Sequence, residues 1–224
     1  MKRRLIRLAI ALVTIYAIAL GGQAGFTAVH AKSYFASLSG EYDRASLDKD
    51  SERLASDVNR LFTLLNFPVV KQIASVSGLD FSPIRDEAVA TIKASSWLAG
   101  ADAPKRYMIA FQNSAEARGT GGILGAFAIV DMNKGAFSVV RTGSNAVLYS
   151  LKDVPVKVPP EFTKLYGKNP AILQNSNLSP HFPYGAEIWM GLWKKQFGEQ
   201  LDGVIAVDPS SLSYVLKATG PITL

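Results

Sequence analysis

The sequence predicts an α/β fold in which helices flank a mixed β-sheet, preceded by an N-terminal membrane helix and a helical segment. Three patterns predict it: an uncharged N-terminal run, helical stretches with apolar residues on one face, and short strands that alternate with helices after residue 104. With 224 residues, the chain is long enough for one well-filled domain and a targeting segment. We expect three regions: a membrane segment at 1–31, a helical region at 32–104 and an α/β domain at 105–224.

The first region begins with a block of cations, and no acidic residue precedes residue 32: Lys2, Arg3, Arg4 and Arg7. The following run, Leu8 to Gly22, carries no charge. About 20 residues cross a bilayer, whereas a signal peptide needs an apolar run of roughly 7–15. The leader satisfies both, and Gly22-Gln23-Ala24 and Val29-His30-Ala31 both fit a cleavage site. We expect a single-pass anchor in the cell membrane with the remaining chain outside the cytoplasm; the alternative is secretion after cleavage.

Charge and cysteine content exclude several functions. The net charge is +6, but beyond the leader 20 Lys and Arg face 18 Asp and Glu. A nucleic-acid binder carries its basic excess on the folded domain, so we expect no nucleic-acid partner. The chain has no cysteine, which excludes disulfides, cysteine nucleophiles and thiolate metal sites.

Two helices are predicted in the second region. The first ends before Pro68, and the second runs from a Ser82 cap and Pro83 to about Leu98. One face of the first helix is apolar: Leu47, Leu54, Val58, Leu61, Phe62 and Leu65.

Strands begin in the third region. Residues 106–112, 123–132 and 136–141 read as strands, and Asn133-Lys134-Gly135 turns the last two into a hairpin. Residues 142–183 are loop-rich, with an extended piece at 154–158. A helix with an apolar stripe follows Pro183, and Gly203 to Val207 reads as a strand of the buried kind. Asp208 then caps a last helix, which ends at Gly220-Pro221.

The most unusual segment is the connection between the first two strands, residues 112–125, which we call the glycine loop. Its glycines let the backbone approach a ligand closely, and Arg118 suits a phosphate or carboxylate. Arg141 could add a second cation, unless it is simply solvated. The alternative for the loop is a purely structural strand connection. The candidate ligand-binding residues are Asn113, Arg118, Gly119, Thr120, Gly121, Gly122 and Arg141, with Glu116 as a candidate catalytic group.

Metal chemistry has little support. His181 is the only histidine outside the leader, which excludes a multi-histidine zinc site. Glu116, Asp131 and Asp208 could bind Mg²⁺ if the fold gathers them, although a helix cap is the better interpretation of Asp208. We therefore assign no metal ligand.

Two blocks resemble the bacterial domain of unknown function numbered 4012. The first is the Gln-Asn-x-Ala-Glu-x-Arg-x-Thr-Gly-Gly run that begins at Gln112, and the second is the Asp-Gly-Val-Ile-Ala-x-Asp-Pro run that begins at Asp202 and closes in Thr219-Gly220-Pro221. Between them, residues 177–183 look like the family's Ser-Pro-Asp-Phe-Pro segment, with His181 at the aspartate. The resemblance covers roughly residues 32–224. Members continue past Thr-Gly-Pro, which implies that the domain is truncated at its C-terminal end.

The family has no established activity, but its layout is similar to that of the LytR-CpsA-Psr proteins, membrane-anchored transferases of glycopolymers. That similarity implies a sandwich fold, a polyprenyl-pyrophosphate-linked glycopolymer as ligand and Arg118 near its pyrophosphate. In a transferase-like enzyme, Glu116 would act as base or metal ligand. The second hypothesis is a non-catalytic envelope protein that binds cell-wall polysaccharide or a protein, with a structural glycine loop.

Overall fold

The computed structural model describes residues 2–39, 44–65 and 82–220. It contains two compact units, residues 1–104 with 133–136, and residues 105–132 with 137–224. The helices are α1 (Lys2–Ser39), α2 (Leu47–Leu65), α3 (Ser82–Leu98), α4 (Pro160–Tyr166), α5 (Phe182–Phe197) and α6 (Pro209–Thr219). The strands are β1 (Lys105–Asn113), β2 (Ile123–Asn133), β3 (Ala136–Ser144) and β4 (Gly203–Val207).

In the described part of the first unit, three α-helices pack together. The apolar face predicted for α2 packs between α1 and α3 because its partners also present apolar residues at helical spacing. The buried cluster consists of Tyr34, Leu47, Leu54, Val58, Ala99 and Ala101. The hairpin turn belongs to this unit, since the main-chain N–H groups of Lys134 and Gly135 donate to the carbonyls of Gly100 and Ala99. Pro68, the predicted terminator of α2, lies outside the described residues.

Polar groups also hold α1 against α2. The carboxylate of Asp57 is buried and contacts His30 Nδ1 and, at 3.4 Å, Gln23 Nε2. The carboxylate of Asp50 is buried too and accepts hydrogen bonds from three serine hydroxyls: Ser33, Ser37 and Ser46. Burial alone would raise the pKa of Asp50, but these hydroxyls and Arg53 outweigh it and lower the pKa.

The predicted leader is part of α1, which continues without a break from Lys2 to Ser39. Within the part of the chain whose side chains are described, we find no helix long and apolar enough to cross a membrane. Most of the uncharged run, residues 8–18, has side chains outside that part. The membrane helix therefore stays a prediction.

A mixed four-stranded sheet forms the second unit, in the order β3-β2-β1-β4. β1 pairs antiparallel with β2 and parallel with β4, so the predicted α/β class with a mixed sheet is confirmed. The turn between β2 and β3 has positive φ at Lys134 and Gly135, as a two-residue I′ hairpin requires. One face of the sheet packs on α5 through Met108, Ala110, Leu124, Phe127 and Ile129 against Ile188, Trp189, Leu192 and Trp193.

The structure adds detail to the predicted second unit and corrects the predicted burial of β4. The extended piece predicted at 154–158 joins no strand of the sheet, and the predicted loop-rich region also contains α4, which begins at Pro160. β4 is not of the buried kind: it lies at an edge of the sheet, and Ile205 is 45% exposed. An apolar run of five residues fits a central or an edge strand equally well, because only the neighbouring strands decide how much of it is covered.

Candidate functional site

The glycine loop follows the carboxyl end of β1 and is closed at its base by local hydrogen bonds. The Asn113 side chain accepts from Ala115 N at 3.1 Å, and its main-chain carbonyl accepts from Glu116 N at 3.1 Å. Ile123 N, at the start of β2, donates to the carbonyl of Glu116 at 3.0 Å. Asn113 thus shapes the first turn of the loop, as asparagine side chains commonly do.

Two buried side-chain amides hold the far side of the loop, and we call this group the amide clamp. Gln112 Nε2 donates to Thr120 Oγ1 and to the carbonyl of Gly122, both at 2.9 Å. Asn177 Nδ2 donates to the same two oxygens at 2.7 and 2.8 Å. Because the four groups are wholly or largely removed from water, the bonds fix the loop in one position relative to the sheet.

Two glycines of the loop are required by close packing. A side chain at Gly119 would place its Cβ 2.1 Å from the carbonyl oxygen of Leu178, and one at Gly122 would meet the carbonyl of Asn113 at 2.3 Å. Gly121 has φ +123°, which other residues rarely adopt. Gly119 and Gly122, which the sequence suggested as amides for an anion, thus serve the packing of the loop, and Gly121 serves its backbone conformation.

Arg118 lies on the outer side of this fixed loop. Its Nε donates to the carbonyl of Gln174 at 2.7 Å, and its Nη1 donates to the carbonyl of Ala117 at 2.9 Å. A guanidinium carries five N–H groups, so three N–H groups of Arg118 have no hydrogen-bond acceptor among the described residues and remain available to a ligand. The side chain is half-buried, and the carboxylate of neighbouring Glu116 is exposed to solvent. The arginine is oriented by the protein and still open to an anion.

Arg141 lies in a different cluster. Its guanidinium stacks over Trp193 and Phe197, with 5.3 and 4.8 Å to the ring centroids, and Nη2 is 3.6 Å from Glu199 Oε1. These partners lie at and beyond the carboxyl end of α5, whereas Gly185 in its first turn adjoins Thr120 and Asn177. A helix of 16 residues is about 24 Å long, so the structure does not bring Arg141 to the glycine loop.

The other carboxylates proposed for Mg²⁺ have structural partners. Asp131 forms two bonds with Arg106, at 2.6 and 2.8 Å, and these bonds lower the pKa of Asp131. Asp208 caps α6 as predicted, since its Oδ1 accepts from Ser211 N at 2.7 Å. Across the described residues, no group of three or more His, Asp or Glu side chains could hold a metal ion.

Sequence reasoning missed the part played by residues 174–177. Gln174 supplies the carbonyl that orients Arg118, Asn177 forms half of the amide clamp, and Ser176 accepts from the Trp189 indole N–H at 2.7 Å. Their partners on the loop lie 55 to 57 residues away in the chain. No local pattern predicts such contacts.

The second family block also has a structural explanation. Asp202 Oδ2 accepts from Arg106 N at 2.7 Å and its main-chain N–H donates to the Arg106 carbonyl, which aligns β4 with β1. Asp208, at the other end of β4, is the helix cap. Among the described polar side chains of the two blocks, Glu116 and Arg118 therefore remain the candidates for contact with a ligand.

Comparison with known proteins gives a family but no activity. The model of the family described as "Protein of unknown function (DUF4012)" matches residues 102–224. No curated protein and no solved structure matches the chain. The match begins later than the predicted limit at residue 32, but it covers more than half of the chain. The chain therefore belongs to the DUF4012 family.

Proposed function

We propose that this protein is a membrane-anchored, extracytoplasmic envelope protein that binds a pyrophosphate-linked glycopolymer at the glycine loop. The observation that carries the proposal is Arg118: two main-chain carbonyls orient its guanidinium, and three of its N–H groups stay available within the described structure. A preoriented arginine loses little side-chain entropy on binding, and it fits a phosphate oxygen pair with two parallel bonds.

Binding is better supported than transfer. Glu116 is exposed and lies on the same loop as Arg118, but no second acid or base is placed beside it by the contacts of the glycine loop. General acid–base catalysis requires a group within hydrogen-bond reach of the transferred proton. The similarity to the LytR-CpsA-Psr transferases is an analogy of layout, and layout does not transmit a reaction.

Retention of the leader as an anchor is part of the proposal. Cleavage after Ala24 or Ala31 would separate Gln23 from Asp57, and the later site would remove His30 as well. Asp57 is only 6% exposed in the uncleaved chain, and cleavage at the later site would remove both of these side-chain partners from α1. The packing of α1 against α2 therefore favours an uncleaved chain.

The test measures binding of farnesyl pyrophosphate, a short soluble polyprenyl pyrophosphate, by isothermal titration calorimetry with the full chain in non-ionic detergent. We expect Arg118→Ala to weaken binding about 10–100-fold, because a charge-assisted bidentate pair is lost. Arg118→Lys keeps the positive charge but not the forked donor geometry of the guanidinium, so it should cause an intermediate loss of affinity.

Arg141→Ala is the control, since Arg141 contacts the cluster around Glu199. Equal binding by wild type, Arg118→Ala and Arg118→Lys would refute the proposal and leave a structural glycine loop. Glu116→Gln should leave affinity within about threefold, as for an exposed surface charge.

A further inference from the structure

A second concave surface of the second unit carries positive charge. The groove has a volume of about 630 Å³ and lies between α5 and the segment before α4. Three lysines line it, Lys157, Lys194 and Lys195, and one carboxylate, Glu187. We call this surface the lysine groove. Small-molecule sites in proteins span about 300–1,000 Å³, so its size suits a ligand larger than a single phosphate ion.

The three lysines have no ion-pair partner in the described part of the chain, whereas other cations of the second unit do. Lys168 pairs with Asp153 at 2.6 Å, and Arg106 and Arg141 both contact Glu199. Beyond the leader, positive and negative charges nearly balance over the chain. The lysine groove is therefore a local excess of uncompensated charge, and it raises the concentration of anions nearby.

The base of the groove is apolar and firmly packed. Val156 and Met190 line it, and the segment at 155–156 lies so close to α5 that a Cβ at Gly191 would meet Val156 Cγ1 at 2.8 Å. An apolar base with a few charged groups at its rim is the ordinary composition of a ligand site. Lys194 and Lys195 also lie in the last turn of α5, where cations stabilise the helix dipole. Lys157 is on no helix, so the dipole does not explain its position.

We propose that the lysine groove binds an anion with two or more phosphate groups. Lysine ammonium groups are compact point charges that suit phosphate, and three of them can neutralise several phosphate oxygens. This site is separate from Arg118, and the inference stands whether or not the glycine loop binds pyrophosphate.

The probe is inorganic tripolyphosphate, titrated calorimetrically into the full chain in non-ionic detergent at low salt. We expect each single substitution, Lys157→Ala, Lys194→Ala or Lys195→Ala, to weaken binding about two- to fivefold, and the triple variant more than 20-fold. Affinity should fall as salt rises. Citrate, a carboxylate anion of similar charge, should bind at least about fivefold more weakly than tripolyphosphate if phosphate is preferred.

Two variants locate the site. Lys164→Ala removes an exposed lysine from the last turn of α4, away from the groove lining, and Arg118→Ala removes the arginine of the glycine loop. Lys164→Ala should bind tripolyphosphate as wild type does, whereas Arg118→Ala should keep the component of binding that the triple lysine variant loses. The proposal is overturned if wild type fails to bind, if the triple lysine variant binds normally, or if Lys164→Ala loses as much affinity as Lys157→Ala. A loss confined to Arg118→Ala would assign phosphate binding to the glycine loop alone.

Discussion

Gly119 has a packing role that the sequence did not predict. Its backbone amide was a candidate donor to an anion, but in the structure Gly119 packs against the main chain of Leu178. We expect Gly119→Ala to lower the stability of the second unit by about 2–3 kcal/mol, since overpacking against backbone forces the loop to move. Urea unfolding, followed by the fluorescence of buried Trp189 and Trp193, measures this loss of stability. Gly125→Ala, whose Cβ would lie 3.6 Å from the nearest atom, is the matched control and should stay near wild type.

Asp50 makes the first unit sensitive to acid. Its pKa is lower in the folded chain than the ordinary 3.8, so the folded state holds fewer protons than the unfolded state. The stability that Asp50 contributes is complete above the ordinary value and is lost as pH falls through 3.8 and below. Asp50→Ala should cost about 2 kcal/mol at neutral pH, because three hydroxyls lose their acceptor. Helical circular dichroism during urea unfolding at pH 7 and pH 3 checks this, and a wild-type-like pH dependence in Asp50→Ala would contradict it.

The amide clamp joins three elements that are distant in sequence. Gln112 lies near the end of β1, Thr120 lies in the glycine loop and Asn177 precedes α5. Asn177→Ala should destabilise the second unit by about 1–3 kcal/mol, and Gln112→Ala by a similar amount. Because both amides donate to the same oxygens, we expect the double variant to differ from the sum of the single ones by at least about 0.5 kcal/mol. Additive losses in a double-mutant cycle would mean that the two amides act independently.

Element boundaries followed from the sequence where local chemistry decides them. Ser82-Pro83 marks the start of α3, Asn133-Lys134-Gly135 turns the hairpin, and Asp208 caps α6. The edge position of β4 and the role of Asn177 did not follow, since both depend on contacts far along the chain. For the candidate site, the sequence identified the glycine loop and Arg118, but it also grouped Arg141 with them, because a lone strand-end arginine carries no information about its partner.

At the scale of the whole molecule, the proposed membrane anchor would place the protein at the cell membrane. We expect the membrane fraction to contain the chain with its original N-terminal segment, because α1 supplies the partners of Asp57. Intact mass spectrometry of the purified protein measures this directly. A main species that begins at Gly25 or Lys32 would show that the leader is a cleaved signal, and Asp57 would then lack Gln23 in the first case and both Gln23 and His30 in the second.

The exposed face of β3 has a practical consequence. This edge strand carries Phe137, Val139 and Val140 at 57%, 55% and 50% exposure, and β4 at the opposite edge presents Ile205. Unpaired edge strands with apolar side chains are templates for pairing between molecules. Concentrated samples of the protein should therefore aggregate through this strand, and Val139→Lys, which places a charge on the edge, is the substitution to make before attempting crystallisation.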